Sequence, residues 1–168
     1  LSFRSRPRRM TARCAPAEIT AYLHRHIPVS AHLGATVRRC DRDGVVLAAP
    51  LAANINHRST VFGGSASAVA ILAGWTWLHF ALRDAGRHCR VVIQRNSMEY
   101  DAPIDGDFTA ECAGMPAAGW DKFLETLRRH RRARTELTAV LKLKDATVAR
   151  FDGEYVAVLL EAGAADSA

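Results

Sequence analysis

The sequence predicts an α+β domain in which an antiparallel sheet wraps around one long central helix. Three observations predict it. From Val61 to Leu82 the only titratable side chain is His79, so a helix there is apolar on every side and has to be buried. Stretches before and after it alternate apolar with polar residues, the period of two of a half-covered strand. Those stretches do not alternate with helices in the βαβ manner, which points to an antiparallel rather than a parallel sheet.

Taken in order, Pro16 to His26 reads as a short helix. Pro16 suits a first turn, and Ile19, Tyr22 and Leu23 fall at i, i+3 and i+4. His24 and His26 flank Arg25 and are expected to face solvent. Ala31, Leu33, Ala35 and Val37 alternate as a first strand. Asp41-Arg-Asp-Gly44 turns it, and Val45 to Ala49 returns as a second. Pro50 to Val61 is a polar loop that runs into Gly63-Gly64 and the central helix, and Gly86 suits that helix's C-terminal cap. Cys89, Val91 and Ile93 mark a third strand, Tyr100 to Asp107 a turn, and Phe108 to Ala113 a fourth strand. Trp120, Phe123, Leu124 and Leu127 sit at i, i+3, i+4 and i+7, a short amphipathic helix. Thr135, Leu137, Ala139, Leu141 and Leu143 alternate as a strand, and a last strand pair is expected to turn at Asp152-Gly153. The organisation is a disordered basic tail over 1–15, one domain over 16–160 and a frayed end over 161–168.

A helix of about 20 residues spans roughly 30 Å, which is also the thickness of a bilayer core. A membrane span is nevertheless rejected. The segment is rich in Gly, Ala and Ser, no second span exists to pack against it, and the flanking strands need an apolar partner. Of the net charge of +6, Arg4, Arg6, Arg8 and Arg9 supply four, leaving +2 for everything after Met10, itself a candidate start residue. Only Phe3 is interleaved with those arginines, so nucleic acid is not an expected partner. Cys14, Cys40, Cys89 and Cys112 show neither CxxC nor Cys/His metal spacing. No metal is expected, and a reduced, cytoplasmic chain is. The charged N-terminus lacks the apolar core of a secretory signal.

The candidate chemistry lies where the loop meets the helix. The first-turn N–H groups at Gly63-Gly64 have no partner within the helix, and the helix dipole adds partial positive charge there. Such an end can hold a carbonyl oxygen that is becoming negative, or it can be no more than a tight turn.

The Phe-Gly-Gly that opens the helix and Y-x-x-P-x-x-G-D after the third strand resemble the hotdog fold. More narrowly, P-L-A-A-N-I-N-H-R-S-T-V-F-G-G, L-A-G-W, V-V-I-Q-R and G-D-F-T-A resemble the YiiD C-terminal-domain family of thioesterases, over about Pro16 to Leu160. Some relatives carry an acetyltransferase domain ahead of this one, so this chain reads as a stand-alone version. The resemblance implies a homodimer or higher homo-oligomer, with acyl-thioester sites at the subunit interface and the carbonyl at the central helix's N-terminus. The substrate would be an acyl-CoA or acyl carrier protein. CoA or phosphopantetheine would be part of that substrate and no separate cofactor is needed.

In the wider hotdog thioesterases the loop often reads N-x-x-G-T-x-H-G-G. Aligned on the glycines, Asn56 takes the place of the Asn, Thr60 of the Thr and Phe62 of the His. Many of those enzymes also place an acidic general base or nucleophile two helical turns further on, where this chain has Ile71.

Three functions follow from the resemblance. In thioester hydrolysis, Gly63 and Gly64 stabilise the oxyanion, Asn56 orients water and His57 is the candidate base. In malonyl-thioester decarboxylation, which yields an acetyl thioester for fatty-acid synthesis, no base is needed. Asn54 and Asn56 then add donors, while Phe62, Ile71 and Trp75 form an apolar wall. The third function is binding without turnover. Thr60 and Ser65 are expected substrate contacts in each case. Arg128 and Arg129, in the run Arg128-Arg-His-Arg-Arg-Ala-Arg134, would attract an acidic carrier or a CoA phosphate, or complement a helix end.

Overall fold

A computed structural model describes residues 14–161. It contains α1 (Pro16–His26), α2 (Val29–His32), β1 (Thr36–Asp41), β2 (Gly44–Ala49), α3 (Gly63–Asp84), β3 (Cys89–Tyr100), β4 (Phe108–Ala113), α4 (Ala117–His130), β5 (Arg132–Leu143) and β6 (Ala146–Leu159). The strands form one antiparallel sheet in the order β1-β2-β4-β5-β6-β3. This is the hotdog arrangement, with α3 packed against β2, β3, β4, β5 and β6 and tied to β1 through Trp77.

The chain leaves β2, crosses the sheet as α3, and returns as β3 at the far edge. Small residues allow the close approach. Ala66, Ala70, Ala73 and Gly74 are buried on α3. A Cβ on Gly74 would stand 2.4 Å from Tyr155 Oη, and that hydroxyl donates to the Ile71 carbonyl at 2.7 Å. Two indoles tie the helix elsewhere: Trp75 Nε1 donates to the Val91 carbonyl at 2.9 Å, and Trp77 Nε1 to the Asp41 carbonyl at 3.1 Å. The helix is long and apolar enough to cross a membrane, but 72% of its most apolar window is buried inside the fold. It is a core helix.

The structure corrects three expectations. Val29–His32 is a helical turn, so only Thr36 and Val37 of the alternation from Ala31 to Val37 are strand. Pro28 is already helical at φ −55°, and Gly34 takes a left-handed φ of 65° to close the turn, where the Ala35 N–H donates to the Ser30 carbonyl. A few alternating residues cannot separate the two periods. The chain also does not turn at Asp152-Gly153. The tight turn is at Lys144-Asp145, with Lys144 at φ 55°, and β6 runs unbroken, paired on both sides. Gly153 is there to make room for rings, since a Cβ would stand 2.5 Å from Phe151 and 2.9 Å from Tyr155. Finally, His24 and His26 are half-buried rather than facing solvent. His24 Nε2 donates to the Ala35 carbonyl at 2.7 Å, and His26 packs on Tyr22 at 4.2 Å between centroids. The expectations for residues 1–15 and 161–168 lie, apart from 14, 15 and 161, outside the described residues.

The contact between α3 and β6 is testable. Gly74→Ala should cost about 1–3 kcal/mol through overpacking, and Tyr155→Phe about 1 kcal/mol through the lost hydrogen bond. Because the two share one contact, denaturant unfolding of the double variant should show a loss smaller than the sum. Strict additivity would mean that Gly74 does not accommodate Tyr155.

Candidate active site

The loop between β2 and α3 is built by its own side chains. The Leu51 N–H donates to Asp107 Oδ1 at 2.9 Å, which ties the loop to the segment before β4. Asn54 is buried at 2% exposure, and its Nδ2 donates to the Leu33 and Pro50 carbonyls, both at 2.8 Å. Its backbone carbonyl accepts the Phe62 N–H at 2.7 Å. Asn54 therefore staples both ends of the loop.

Residues 55–61 then form a small hairpin through the Ile55–Val61 bridge. Asn56 closes it. Its Oδ1 accepts the Arg58 N–H at 2.8 Å and the Thr60 N–H at 3.2 Å, and its Nδ2 donates to Thr60 Oγ1 at 3.0 Å. Ser59 at the tip is left-handed, at φ 61°. His57 is exposed there, and its Nε2 accepts from Arg58 Nε at 3.3 Å.

The hairpin delivers Phe62 as the N-cap of α3 in an extended conformation, φ −61° and ψ 130°, with no side-chain cap. The first helical bond is Ala66 N–H to the Phe62 carbonyl, at 3.1 Å. The N–H groups of Gly63, Gly64 and Ser65 thus precede the helix's own bonding. The Phe62 ring lies over Gly64, where a Cβ would come within 2.5 Å of it. Tyr100, at the end of β3, donates its hydroxyl to the Gly63 carbonyl at 2.6 Å. Burial pushes the Tyr100 phenol up from its ordinary value, so it stays a protonated donor. Phe62, Tyr100 and Ile55 remain 59%, 51% and 51% exposed around the helix start. These are large apolar groups on an open rim.

From that start a stripe runs along α3. Gly64 is exposed and Ser67, Ala68, Ile71 and Trp75 are half-buried, while Ala66, Val69, Ala70, Leu72, Ala73 and Gly74 are buried. The spacing is one helical face. At 1.5 Å per residue, Ile71 and Trp75 stand roughly 12 and 18 Å beyond Gly63. The Trp75 indole stacks on His79, with centroids 4.5 Å apart.

The structure brings Asn54, Asn56, Thr60, Phe62, Gly63, Gly64 and Ser65 together and strings Ile71 and Trp75 behind them. His57 stands off on the exposed tip. Arg128 and Arg129 are elsewhere, on the last turn of α4, both paired with Glu125 at 2.9 and 3.9 Å. Tyr100 is level with Ala149 and Leu141, whereas Arg132, where β5 begins, is level with Val158. Nine positions along β5 separate those levels, which is roughly 30 Å at strand rise. Among nearby carboxylates, Asp101 pairs with Arg150, and Asp107 is taken by the loop. Cys40, Cys89 and Cys112 offer no thiolate. Burial pushes Cys40 up to about 11 and Cys112 up to about 12, and Cys89 also upward. Sequence reasoning missed Tyr100 as a site residue and missed the stripe at Ser67 and Ala68. The signals were the tyrosine opening the Y-x-x-P turn and the helical period running from Gly64.

A family profile described as "Putative thioesterase (yiiD_Cterm)" matches residues 16–159. Among solved structures, a protein of unknown function from Chlorobaculum tepidum TLS is 25% identical, with a TM-score of 0.80 over 88% of this chain and 99% of that one. A protein from Shewanella oneidensis described as a putative thioesterase is 27% identical, with a TM-score of 0.76 over 85% and 96%. A third, from Pseudomonas aeruginosa and described as a probable thioesterase, shares the fold at 20% identity, with a TM-score of 0.74 over 87% and 97%.

The hairpin makes its own prediction. Asn56→Ala removes the acceptor of two amides, each bond contributing about 1 kcal/mol. Hydrogen exchange at Arg58 and Thr60 should speed up roughly five- to tenfold by that measure. Asn56→Asp keeps the acceptor and should leave those two amides protected. Unchanged exchange in Asn56→Ala would mean that the loop is held by its backbone alone.

Proposed function

The chain belongs to the YiiD C-terminal-domain family, whose profile is described as "Putative thioesterase", and from that footing we propose that it acts on acyl thioesters held with the carbonyl at the N-terminus of α3. One observation carries this reading: an uncapped helix start, ringed by exposed apolar groups, continues directly into the half-buried stripe of Ser67, Ala68, Ile71 and Trp75. A thioester carbonyl set against the Gly63 and Gly64 N–H groups meets fixed donors and the positive end of the helix dipole. Each such donor is typically worth about 3 kcal/mol in the barrier of an oxyanion-forming step. The acyl chain then follows the stripe.

A second protomer completes the site in this proposal. β3 is an edge strand of 12 residues with one side unpaired, a ready template for a copy of itself. Antiparallel pairing of two β3 edges sets the Tyr100 end of one against the Cys89 end of the other. It covers Ile55 and Phe62, and it brings the Cys89 end of one β3 towards the helix start of its partner. Basic groups that attract a CoA phosphate or an acidic carrier protein would then act across the seam, the one way in which Arg128 and Arg129 approach the site.

A specific observation favours decarboxylation as a second reading. Between Gly63 and Arg83 α3 carries no carboxylate, and the candidate base His57 stands on an exposed tip. Hydrolysis needs a group that takes a proton from water. Loss of CO2 from a malonyl thioester does not. The C–C bond breaks, its electron pair enters the thioester as an enolate held by the same N–H donors, and a proton from water gives the acetyl thioester.

Mass spectrometry of malonyl and medium-chain acyl thioesters, on CoA and on a carrier protein, separates the readings. Free acid plus free thiol is expected for hydrolysis, and acetyl thioester from malonyl thioester for decarboxylation. Binding without either product removes the enzymatic reading. Ala68→Phe should shorten the longest chain accepted while leaving turnover of malonyl or acetyl thioesters within about twofold, given that a pocket contact discriminates methylenes by about 1–3 kcal/mol. Equal loss on all chain lengths would take the acyl chain off the stripe.

A further inference from the structure

We infer that the outer face of the sheet, opposite α3, is a self-complementary docking surface on which a second copy of the chain stacks face to face. The register of β5, β6 and β3 arranges its outward residues in rows. Arg132, Val158 and Arg90 form the first row, and Arg134, Val156 and Val92 the second. The third holds Glu136 opposite Glu154, with Arg95 beyond, and the fourth has Asp152 at its centre. The intervening residues Ala133, Leu137, Phe151, Tyr155 and Ala157 are buried towards the core. Val92 and Val158 are 44% and 37% exposed on this face, while Val156 in the second row is covered, at 4%.

Two features make the face poorly satisfied in a single copy. Glu136 and Glu154 are directly opposite on neighbouring strands, an arrangement that destabilises a sheet. Among the described residues their one cationic partner is Arg95, 3.9 Å from Glu154 with its own side chain 77% exposed. These acids line a concavity of about 280 Å³ with Asp152 and Arg95, room for an incoming guanidinium. Arg132 and Arg90, for their part, flank Val158 from both sides with no acid beside them in the row.

An anionic partner would satisfy the arginine rows and leave the acidic concavity bare. A surface carrying both signs in reversed order satisfies both, and the face itself is such a surface. A two-fold axis running across the strands between the second and third rows sets Arg134 of each copy over Glu136 of the other. The same axis places Asp152 against the row of Arg90 and Arg132. An axis along the strands would instead stack arginine on arginine. The charges therefore choose the first, an isologous contact of two sheets about 10 Å apart. The contact is separate from the β3 edge and does not depend on the thioester reading.

Light scattering coupled to size exclusion, on the full chain at low ionic strength, tests it. The mass should fall twofold in high salt, which screens the pairs, and twofold in Arg134→Glu. The double variant Arg134→Glu/Glu136→Arg restores complementarity with the signs exchanged and should regain the full mass. The proposal is overturned if Arg134→Glu leaves the mass unchanged, or if the double variant stays at half mass. A wild type whose mass ignores salt and rises only on adding poly-L-glutamate also overturns it, in favour of an anionic partner. Should the single variant unfold, by circular dichroism, the salt response of the unsubstituted protein decides.

Discussion

A helix with no polar face governs this fold. α3 has His79 as its only titratable group before Arg83, and no exposed position on a domain surface would tolerate it. A sheet can enclose such a helix only by curving around it at short range. The small residues of α3 permit that range, and the Tyr155 hydroxyl and the Trp75 and Trp77 indoles fix it by reaching backbone carbonyls. Because α3 itself carries the chain from β2 to the far edge, β3 must run back alongside it. Its last residue, Tyr100, thereby returns to the helix's own first residue, Gly63. The candidate site is a consequence of how the core closes.

The same logic explains what could be read from the sequence. The central helix, the hairpin at Asp41–Gly44 and the strand Phe108–Ala113 are legible because local period and turn chemistry agree there with the tertiary fold. Where they disagree, local signals fail. Asp152-Gly153 carries the composition of a turn, yet β6 is held straight by two neighbours, and its glycine answers to ring packing. Ala31 and Leu33 alternate, yet Pro28 and Gly34 enclose them in a helical turn.

For the site, Gly63-Gly64 announces itself through the missing cap, and Asn54 and Asn56 through their place in the loop. Their hydrogen-bond partners do not, since Leu33 and Pro50 come together only in the fold. The distance of Arg128 from Gly63 is likewise invisible before the strand register is known. In the sequence both are simply charged or small residues flanking apolar segments.

One feature of the site follows from burial rather than from catalysis. The stripe from Gly64 to Trp75 is half-covered in one protomer, and in the proposed dimer the partner or an acyl chain covers the rest. A carboxylate at position 71 would then lose its water, and an ionised carboxylate without a partner pays several kcal/mol for that. The group would stay charged only with a cation beside it, or else take up a proton and cease to be a base at neutral pH. Ile71 avoids the conflict. With it the site gives up a fixed base and keeps backbone N–H donors, which need no compensation because the helix would leave them open in any case.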